Sequence, residues 1–192
     1  MLTALAHSAR RLATPALFAF VSLVLLATTA FADVIAIKFA DIRAEEDGYY
    51  LNAEFDLNIN PTLEEALQKG VPLYFELELE ITRPRWYWFD AKLQSFSTQY
   101  RVSYNALTRQ YRVASGLLTQ TFDSLGEVER LLSRVTARRV AGLSQLPKGT
   151  RLEAAVRLRL DVNQLPKPFQ VNALASREWS LSSDWYRWDF ST

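Results

Sequence analysis

Three stretches of the chain alternate apolar and polar residues with a period of two, each over ten or more positions. They are Tyr49–Ile59, Leu73–Thr82 and Arg151–Val162. Successive side chains of a β-strand point to opposite faces, so the pattern predicts strands with one buried and one solvated face. Antiparallel sheets can expose one face to water, whereas parallel sheets are covered on both. The alternation therefore predicts a mainly β chain built from antiparallel sheets.

Further strands follow from shorter patterns. Val34–Ile42 is predicted as the first strand. Tyr100–Val102 and Tyr111–Val113 are predicted as the two arms of a hairpin that turns around Asn105. Just before this hairpin, the apolar positions change from odd-numbered residues, up to Leu93, to even-numbered residues, from Phe96, which predicts a β-bulge near Gln94-Ser95.

Two segments carry helical signals. Pro61–Leu67 has a proline in its first turn and stops at Gly70, which predicts a short helix between two strands. Ser124–Gly142 starts with a capping box between Ser124 and Glu127 and continues with apolar residues at helical spacing. The fold class predicted from all elements is an antiparallel β-sandwich, immunoglobulin-like or similar, with one short and one longer α-helix.

The N-terminus has the three parts of a secretory signal. Arg10-Arg11 gives a basic start, Ala16–Ala27 is apolar apart from one serine, and Ala32 ends an Ala-Phe-Ala cleavage motif. Residues 1–32 are therefore predicted to be a signal peptide and residues 33–192 a single periplasmic domain. The alternative is an uncleaved inner-membrane anchor, for which the apolar run is short against about 30 Å of hydrocarbon.

The composition of the exported part excludes most catalytic chemistry. The chain has no cysteine, and its single histidine and methionine, His7 and Met1, lie in the signal segment. Histidine triads, cysteine nucleophiles, thiolate or imidazole metal sites and disulfides are therefore excluded. Without the signal, 20 basic and 21 acidic residues remain, a formal charge of −1. We expect no enzyme activity, no metal, no cofactor and no nucleic-acid partner.

Four aromatic residues occur in a row within Arg83–Asp90. Tyr87 and Phe89 continue an apolar face, whereas Trp86 and Trp88 fall with charged residues and are predicted on the outer face of a sheet. One hypothesis is a stacking platform for a sugar ring or for the side chains of a partner. The other, favoured because most large aromatic side chains are buried, is a second small core covered by a helix or by the C-terminal tail.

Two further sets of residues are candidate binding surfaces. The C-terminal tail, Trp179–Phe190, contains the remaining three tryptophans, of which Trp185 and Trp188 are candidates for a binding surface together with Trp86 and Trp88. Arg138 and Arg139, at the end of the predicted longer helix, are candidates for binding an acidic partner or a phosphate. The other interpretation of these arginines, compensation of the helix dipole on a solvated face, is favoured.

The polar face of one predicted strand carries a row of carboxylates, Glu76, Glu78 and Glu80. Two carboxyl groups at a set distance form the catalytic pair of many glycosidases, which makes a carboxylate-dependent enzyme one hypothesis. Alternating glutamates on a solvated strand face are also ordinary solubility patterning, and this interpretation is favoured.

Three stretches resemble a known family. Gly70–Asp90, Leu165–Leu174 and Ser183–Phe190 are similar to DUF4390, a family of exported proteobacterial proteins also labelled proline-rich signal peptide proteins. The likeness covers nearly all of the exported part and carries no catalytic residues with it. Members are often encoded beside a membrane sensor histidine kinase and a ribosomal RNA methyltransferase, so the resemblance implies a role in envelope sensing.

Three functions are kept as hypotheses, and the first of them is the leading one. The first is an exported, non-catalytic binding or interaction module of the bacterial envelope, with a membrane sensor kinase or another envelope component as its partner. The second is a periplasmic carrier of a glycan or a lipid, and the third is a carboxylate-dependent enzyme. The oligomeric state and the order of the strands are left open by the sequence.

Overall fold

The computed structural model of the chain describes residues 35–84 and 91–192. Within them the strands are β1 (Ala36–Ala44), β2 (Gly48–Asp56), β3 (Leu73–Arg83), β4 (Ala91–Asn105), β5 (Gln110–Ser115), β6 (Leu118–Phe122), β7 (Arg134–Gly142), β8 (Arg151–Leu160) and β9 (Tyr186–Ser191). The helices are α1 (Pro61–Gln68), α2 (Leu125–Leu132) and α3 (Lys167–Ala175), and 3-10 turns cover Val162–Gln164 and Arg177–Trp179.

The strands form two antiparallel sheets. The small sheet has the order β1-β2-β7, and the large sheet has the order β6-β5-β4-β3-β8-β9. The chain passes from the small to the large sheet through α1 and returns through α2. The predicted fold class, a mainly β, antiparallel, sandwich-like fold with few helices, is confirmed.

Strand β3 occupies the middle of the large sheet and explains why the sequence alternates. Leu73, Phe75, Leu77, Leu79 and Ile81 are at most 1% exposed, whereas the glutamates between them are half-buried on the opposite face. Inward residues of the neighbouring strand β8 and of β2 in the small sheet belong to the same hydrophobic core. The apolar face is buried because each Å² of apolar surface removed from water stabilises the folded state by about 25 cal/mol.

The predicted first strand and hairpin are confirmed. Strand β1 pairs with β2, and β4 pairs with β5 so that Val102 lies opposite Val113. The Asn105 side chain accepts hydrogen bonds from the backbone N–H groups of Leu107 (3.0 Å) and Thr108 (3.3 Å). This local hydrogen bonding is what favours asparagine at a turn.

The predicted β-bulge is confirmed about one residue earlier than expected. Ile81 of β3 lies opposite Gln94, but the next residue, Thr82, lies opposite Lys92. Leu93 is therefore the extra residue of β4. The insertion changes which face successive residues occupy, so the even-numbered residues from Phe96 onward point to the core.

The prediction of a longer helix over Ser124–Gly142 is wrong. Helix α2 ends at Leu132, and Arg134–Gly142 forms strand β7 against β2. The three α-helices within the described ranges have 8, 8 and 9 residues, and none of them is long and apolar enough to cross a membrane. The capping box is also incomplete, because the Ser124 side chain makes no cap hydrogen bond and Glu127 accepts from the Asp123 N–H at 3.0 Å.

Tertiary pairing explains why this segment is a strand. The carbonyl of Ser133 accepts a hydrogen bond from the Phe55 N–H at 2.8 Å, which starts the pairing of β7 along β2. The β7 register shifts twice, and Ala137 adopts a left-handed backbone conformation with φ 46° at the first shift. Because each bulge inserts a residue, the buried positions Val135 and Val140 lose the period of two. Val135 also follows Leu131 and Leu132 of α2 at helical spacing, so in the sequence the apolar stripe of the helix continues into the strand.

The buried row of β3 predicts the largest stability losses in the chain. We expect Leu77→Ala to lower the free energy of unfolding by about 2–5 kcal/mol, because it leaves a cavity at a fully buried site. The control is Leu107→Ala, at a turn residue that is 97% exposed, with an expected change within about 0.5 kcal/mol. Urea unfolding followed by tryptophan fluorescence measures both, and similar losses would contradict the assigned core.

Candidate binding cleft

A cleft of about 930 Å³ opens between the two sheets on the side of β4, β5 and β6. The large sheet has six strands and the small sheet three, so the small sheet cannot cover the whole inner face of the large one. Tyr74 and Arg101, from the outer face of the large sheet, also border the opening. The inner lining includes Thr98, Tyr100, Leu118, Gln120, Leu131 and Arg138.

Among the described residues of this inner lining, Arg138 carries the charge. It lies opposite the fully buried Leu51 in the β2–β7 pairing, which places its side chain on the inner face of the small sheet. Its guanidinium carbon is 5.4 Å from the ring centroid of Phe96, and its Nη2 donates a long hydrogen bond of 3.4 Å to Thr98 Oγ1. The cation therefore lies over an aromatic ring and beside a hydroxyl, inside the cleft.

Arg138 has no carboxylate within ion-pair distance among residues 35–84 and 91–192. No aspartate or glutamate from this part of the chain lines the cleft either. A guanidinium carries five N–H donors, and the bond to Thr98 uses one of them. The arrangement can bind an anion, because no carboxylate of the described residues already neutralises the guanidinium.

Tyr100 supplies a second polar group to the cleft. Burial raises the pKa of its phenol, and the nearby charge of Arg138 only partly offsets this effect. The phenol consequently stays neutral at physiological pH and keeps its O–H as a donor. The cleft thus combines a fixed positive charge with neutral hydrogen-bonding groups.

Two leucines form an apolar rim at the same opening. They belong to the β5–β6 hairpin, whose two-residue loop is Gly116-Leu117, with Gly116 at φ 58°. Leu117 and Leu118 are exposed by 104% and 72% of their reference areas. Large exposed apolar side chains that cluster at one place mark interaction sites more often than single ones do.

The two predicted arginines have different environments. Arg139 lies opposite Tyr50 on the outer face, donates to the Asp47 carbonyl at 2.9 Å and approaches the Asp47 carboxylate to 3.8 Å. The compensation of a helix dipole expected for both arginines is wrong, because both lie on a strand. Of the pair, only Arg138 points into the cleft.

The predicted tryptophans are distributed over different parts of the fold. Trp185 is half-buried, with the Arg157 guanidinium carbon 4.5 Å from its ring centroid. Trp188 lies opposite the buried Ala154 on the inner face of β9 and packs against the core. Trp86 and Trp88 lie outside the described residues. The structure therefore brings none of the described candidates together into an exposed aromatic platform.

The glutamate row is engaged in cross-strand ion pairs. Glu76 and Glu78 bind Arg159, Glu78 also binds Arg157, and Glu80 binds Lys92 at 2.6 Å. Burial opposes the charged form of Glu78, but hydrogen bonds and charge from the two arginines outweigh it and lower the pKa. A general acid of a glycosidase needs a raised pKa, so Glu78 is poorly suited to that role.

Sequence reasoning identified Arg138 but not the rest of the cleft. The lining residues Tyr100 of β4, Leu118 of β6 and Leu131 of α2 come from separate elements that only the folded chain brings together. The one signal available in the sequence was the uncharged hairpin tip Gly116-Leu117-Leu118, where two leucines follow a turn glycine. Such a tip would be expected to carry polar residues if it faced only water.

These features define the class of protein: an antiparallel two-sheet β-protein with a cationic, partly apolar cleft between its sheets. Residues 32–189 match the family model described as a domain of unknown function, DUF4390, and the chain belongs to this family. The family expected from the sequence is thereby confirmed. Comparison with curated proteins and with solved structures gave no match.

The ion pairs of Glu78 predict acid sensitivity. Because its pKa is lowered in the folded state, its contribution to stability is present above the ordinary glutamate pKa, near 4.5, and is lost as the pH falls below it. We expect Glu78→Gln to reduce the loss of stability between pH 5 and pH 3 seen by urea unfolding. Glu46→Gln, at an exposed position between β1 and β2, is the control. If the stability of Glu78→Gln depended on pH as it does in the wild type, the ion pairs of Glu78 would not be the source of the acid sensitivity.

Proposed function

We propose that this protein is an exported, non-catalytic binding module of the bacterial envelope whose cleft binds an anionic segment of another envelope protein. The observation that carries the proposal is Arg138, an inward-facing cation without a carboxylate partner in the described part of the chain. A guanidinium binds a carboxylate or a phosphate through two parallel N–H bonds, so an anionic group is the ligand that best fits Arg138.

An inward-pointing charge has another known use, because it keeps an edge strand from pairing with other chains. Strand β7 is an edge strand of the small sheet, so this use applies to Arg138 as well. Protection of an edge needs no anion, whereas binding does. If Arg138 only protects the edge, the neutral variant Arg138→Gln keeps its binding partner. If Arg138 binds an anion, the variant loses that partner.

Three observations support export and the absence of catalysis. The family match begins at residue 32, beside the predicted cut, which agrees with a signal segment that lies outside the shared domain. The exported part contains no histidine, cysteine or methionine. The glutamates of the β3 row are held in ion pairs, and the pKa of Glu78 is lowered, whereas a general acid needs a raised pKa.

The first partner to test is the extracytoplasmic part of a membrane sensor kinase, because the family resemblance implies that genetic neighbourhood. A lipid carrier is the second candidate function, favoured by the cleft volume of about 930 Å³ and by the leucine rim. A glycan carrier has less support, because Arg157 occupies one face of Trp185 and the other described tryptophans pack inward.

Export predicts a defined mature protein. We expect mass spectrometry of the protein from periplasmic extracts to give an N-terminus at Asp33, because signal peptidase cuts after the Ala-Phe-Ala motif. An intact N-terminus in the inner-membrane fraction would instead support the uncleaved anchor. Recovery in the cytoplasm alone would contradict export.

The role of the cleft predicts a difference between two adjacent arginines. Tagged protein is cross-linked in intact envelopes of its own organism as wild type, Arg138→Gln and Arg139→Gln. We expect Arg138→Gln to reduce capture of a membrane protein at least tenfold, whereas Arg139→Gln, on the opposite face, retains it. Mass spectrometry of the cross-linked peptides must place the partner segment at the cleft.

Both arginines are exposed, so each change should alter the free energy of unfolding by less than about 1 kcal/mol and leave the fold intact. Equal capture by all three proteins would contradict binding through the cleft. Extraction of a phospholipid with wild type but not with Arg138→Gln would favour the carrier over the interaction module.

A further inference from the structure

Strand β6 is an unprotected edge of the large sheet beside the cleft. Within the described part of the chain it pairs only with β5, so its other side has no strand partner. Its sequence, Leu-Thr-Gln-Thr-Phe, contains no charge and no proline, and four of its five residues are exposed. Edge strands usually carry charges, prolines or bulges that prevent pairing, and none of these is present in β6.

The hairpin geometry shows which backbone groups are available. A two-residue loop makes its flanking residues, Ser115 and Leu118, a hydrogen-bonded pair. Bonded and non-bonded pairs then alternate along an antiparallel ladder, so Thr119 and Thr121 direct their N–H and C=O groups away from β5. These four groups form a ready template for one additional strand.

We propose that an extended acidic peptide segment of a partner protein adds to β6 as a further antiparallel or parallel strand, with an inward-facing carboxylate that pairs with Arg138. This proposal rests on the proposed function and specifies how the cleft takes its partner. Leu118 and Gln120 of β6 line the cleft together with Arg138, so a strand beside β6 borders the same space. Backbone hydrogen bonds supply affinity, and the arginine selects for acid.

Charge complementarity favours an acidic partner on both faces of the added strand. Arg138 lies on the inner side, and Arg112, opposite Thr121 in the β5–β6 pairing, is exposed on the outer side. Arg101, on the outer face of β4, adds a third positive charge at the border of the cleft. The described residues that line the cleft beside Arg101 and Arg138 include no aspartate or glutamate.

Two other occupants fit these observations less well. A second copy of the chain that paired β6 with β6 would bring an uncharged strand to each cleft and leave both Arg138 side chains without an anion. A phospholipid could neutralise Arg138 but would leave the backbone groups of Thr119 and Thr121 without strand partners. An acidic peptide strand satisfies the backbone and the charge together.

The test uses a phage library of random decapeptides selected on the exported protein. We expect the enriched sequences to be acidic, with apolar or β-branched residues between the acids. Affinity of one enriched peptide is then measured by fluorescence anisotropy for wild type, Thr121→Pro, Thr121→Val and Arg138→Gln. Proline removes the outward N–H without breaking the ladder to β5, and valine is the matched control that keeps it.

We expect at least a tenfold loss of affinity in Thr121→Pro and in Arg138→Gln, and a change of less than twofold in Thr121→Val. Since proline could also unfold the hairpin, amide hydrogen exchange on the wild type gives an independent readout. The peptide should protect the N–H groups of Thr119 and Thr121 and leave those of the opposite edge, β9, unchanged.

Other outcomes separate this inference from the function on which it rests. Loss in Arg138→Gln without loss in Thr121→Pro and without amide protection would overturn strand addition and leave the anion cleft intact. No enriched acidic peptide, or equal affinity for all variants, would overturn both. Peptide-independent dimers that Thr121→Pro dissolves in sedimentation would assign β6 to a second copy. Competition by phosphatidylglycerol vesicles without amide protection would assign the cleft to lipid.

Discussion

The register of the central strand β3 is the constraint on which the rest of the structure depends. One face of β3 supplies five residues to the hydrophobic core, and the other supplies three glutamates to a row of ion pairs. Because the side-chain period is two, a slip by one residue would bury the glutamates and expose the leucines. The pairing of β3 with β4 and β8 therefore fixes both the core and the charge pattern of the outer face.

The contrast between two kinds of arginine follows from this arrangement. Arg157 and Arg159 of β8 lie opposite Glu78 and Glu76 of β3, so each meets a carboxylate across the strand pair. Arg138 lies opposite Leu51, on the inner face of a sheet too narrow to cover its neighbour. Its charge has no cross-strand partner in the described chain. The residue that lies opposite each arginine in its strand pair therefore decides whether the arginine forms a cross-strand ion pair or is available for a ligand.

Much of the fold was predictable, and the errors have one physical cause. Regular strands and the hairpin at Asn105 follow from short-range periodicity and turn chemistry, and even the bulge at Leu93 left a visible change of parity. Strand β7 was missed because its two bulges disturb the period of two and its arginines suit a helix equally well. Only the free backbone edge of β2 decides in favour of a strand, and a pairing over that distance leaves no local signal.

The sequence by itself determined the mainly β, antiparallel architecture, the buried rows and the absence of histidine, cysteine and methionine chemistry in residues 33–192. These properties depend on composition and on residues that are close together along the chain, so they can be inferred from the amino-acid sequence. The tertiary structure decided that Arg138 and Arg139 face opposite ways, that the glutamates are paired and that β6 keeps an open edge. Those properties depend on which strands meet across the sheets, and such contacts join residues far apart in sequence.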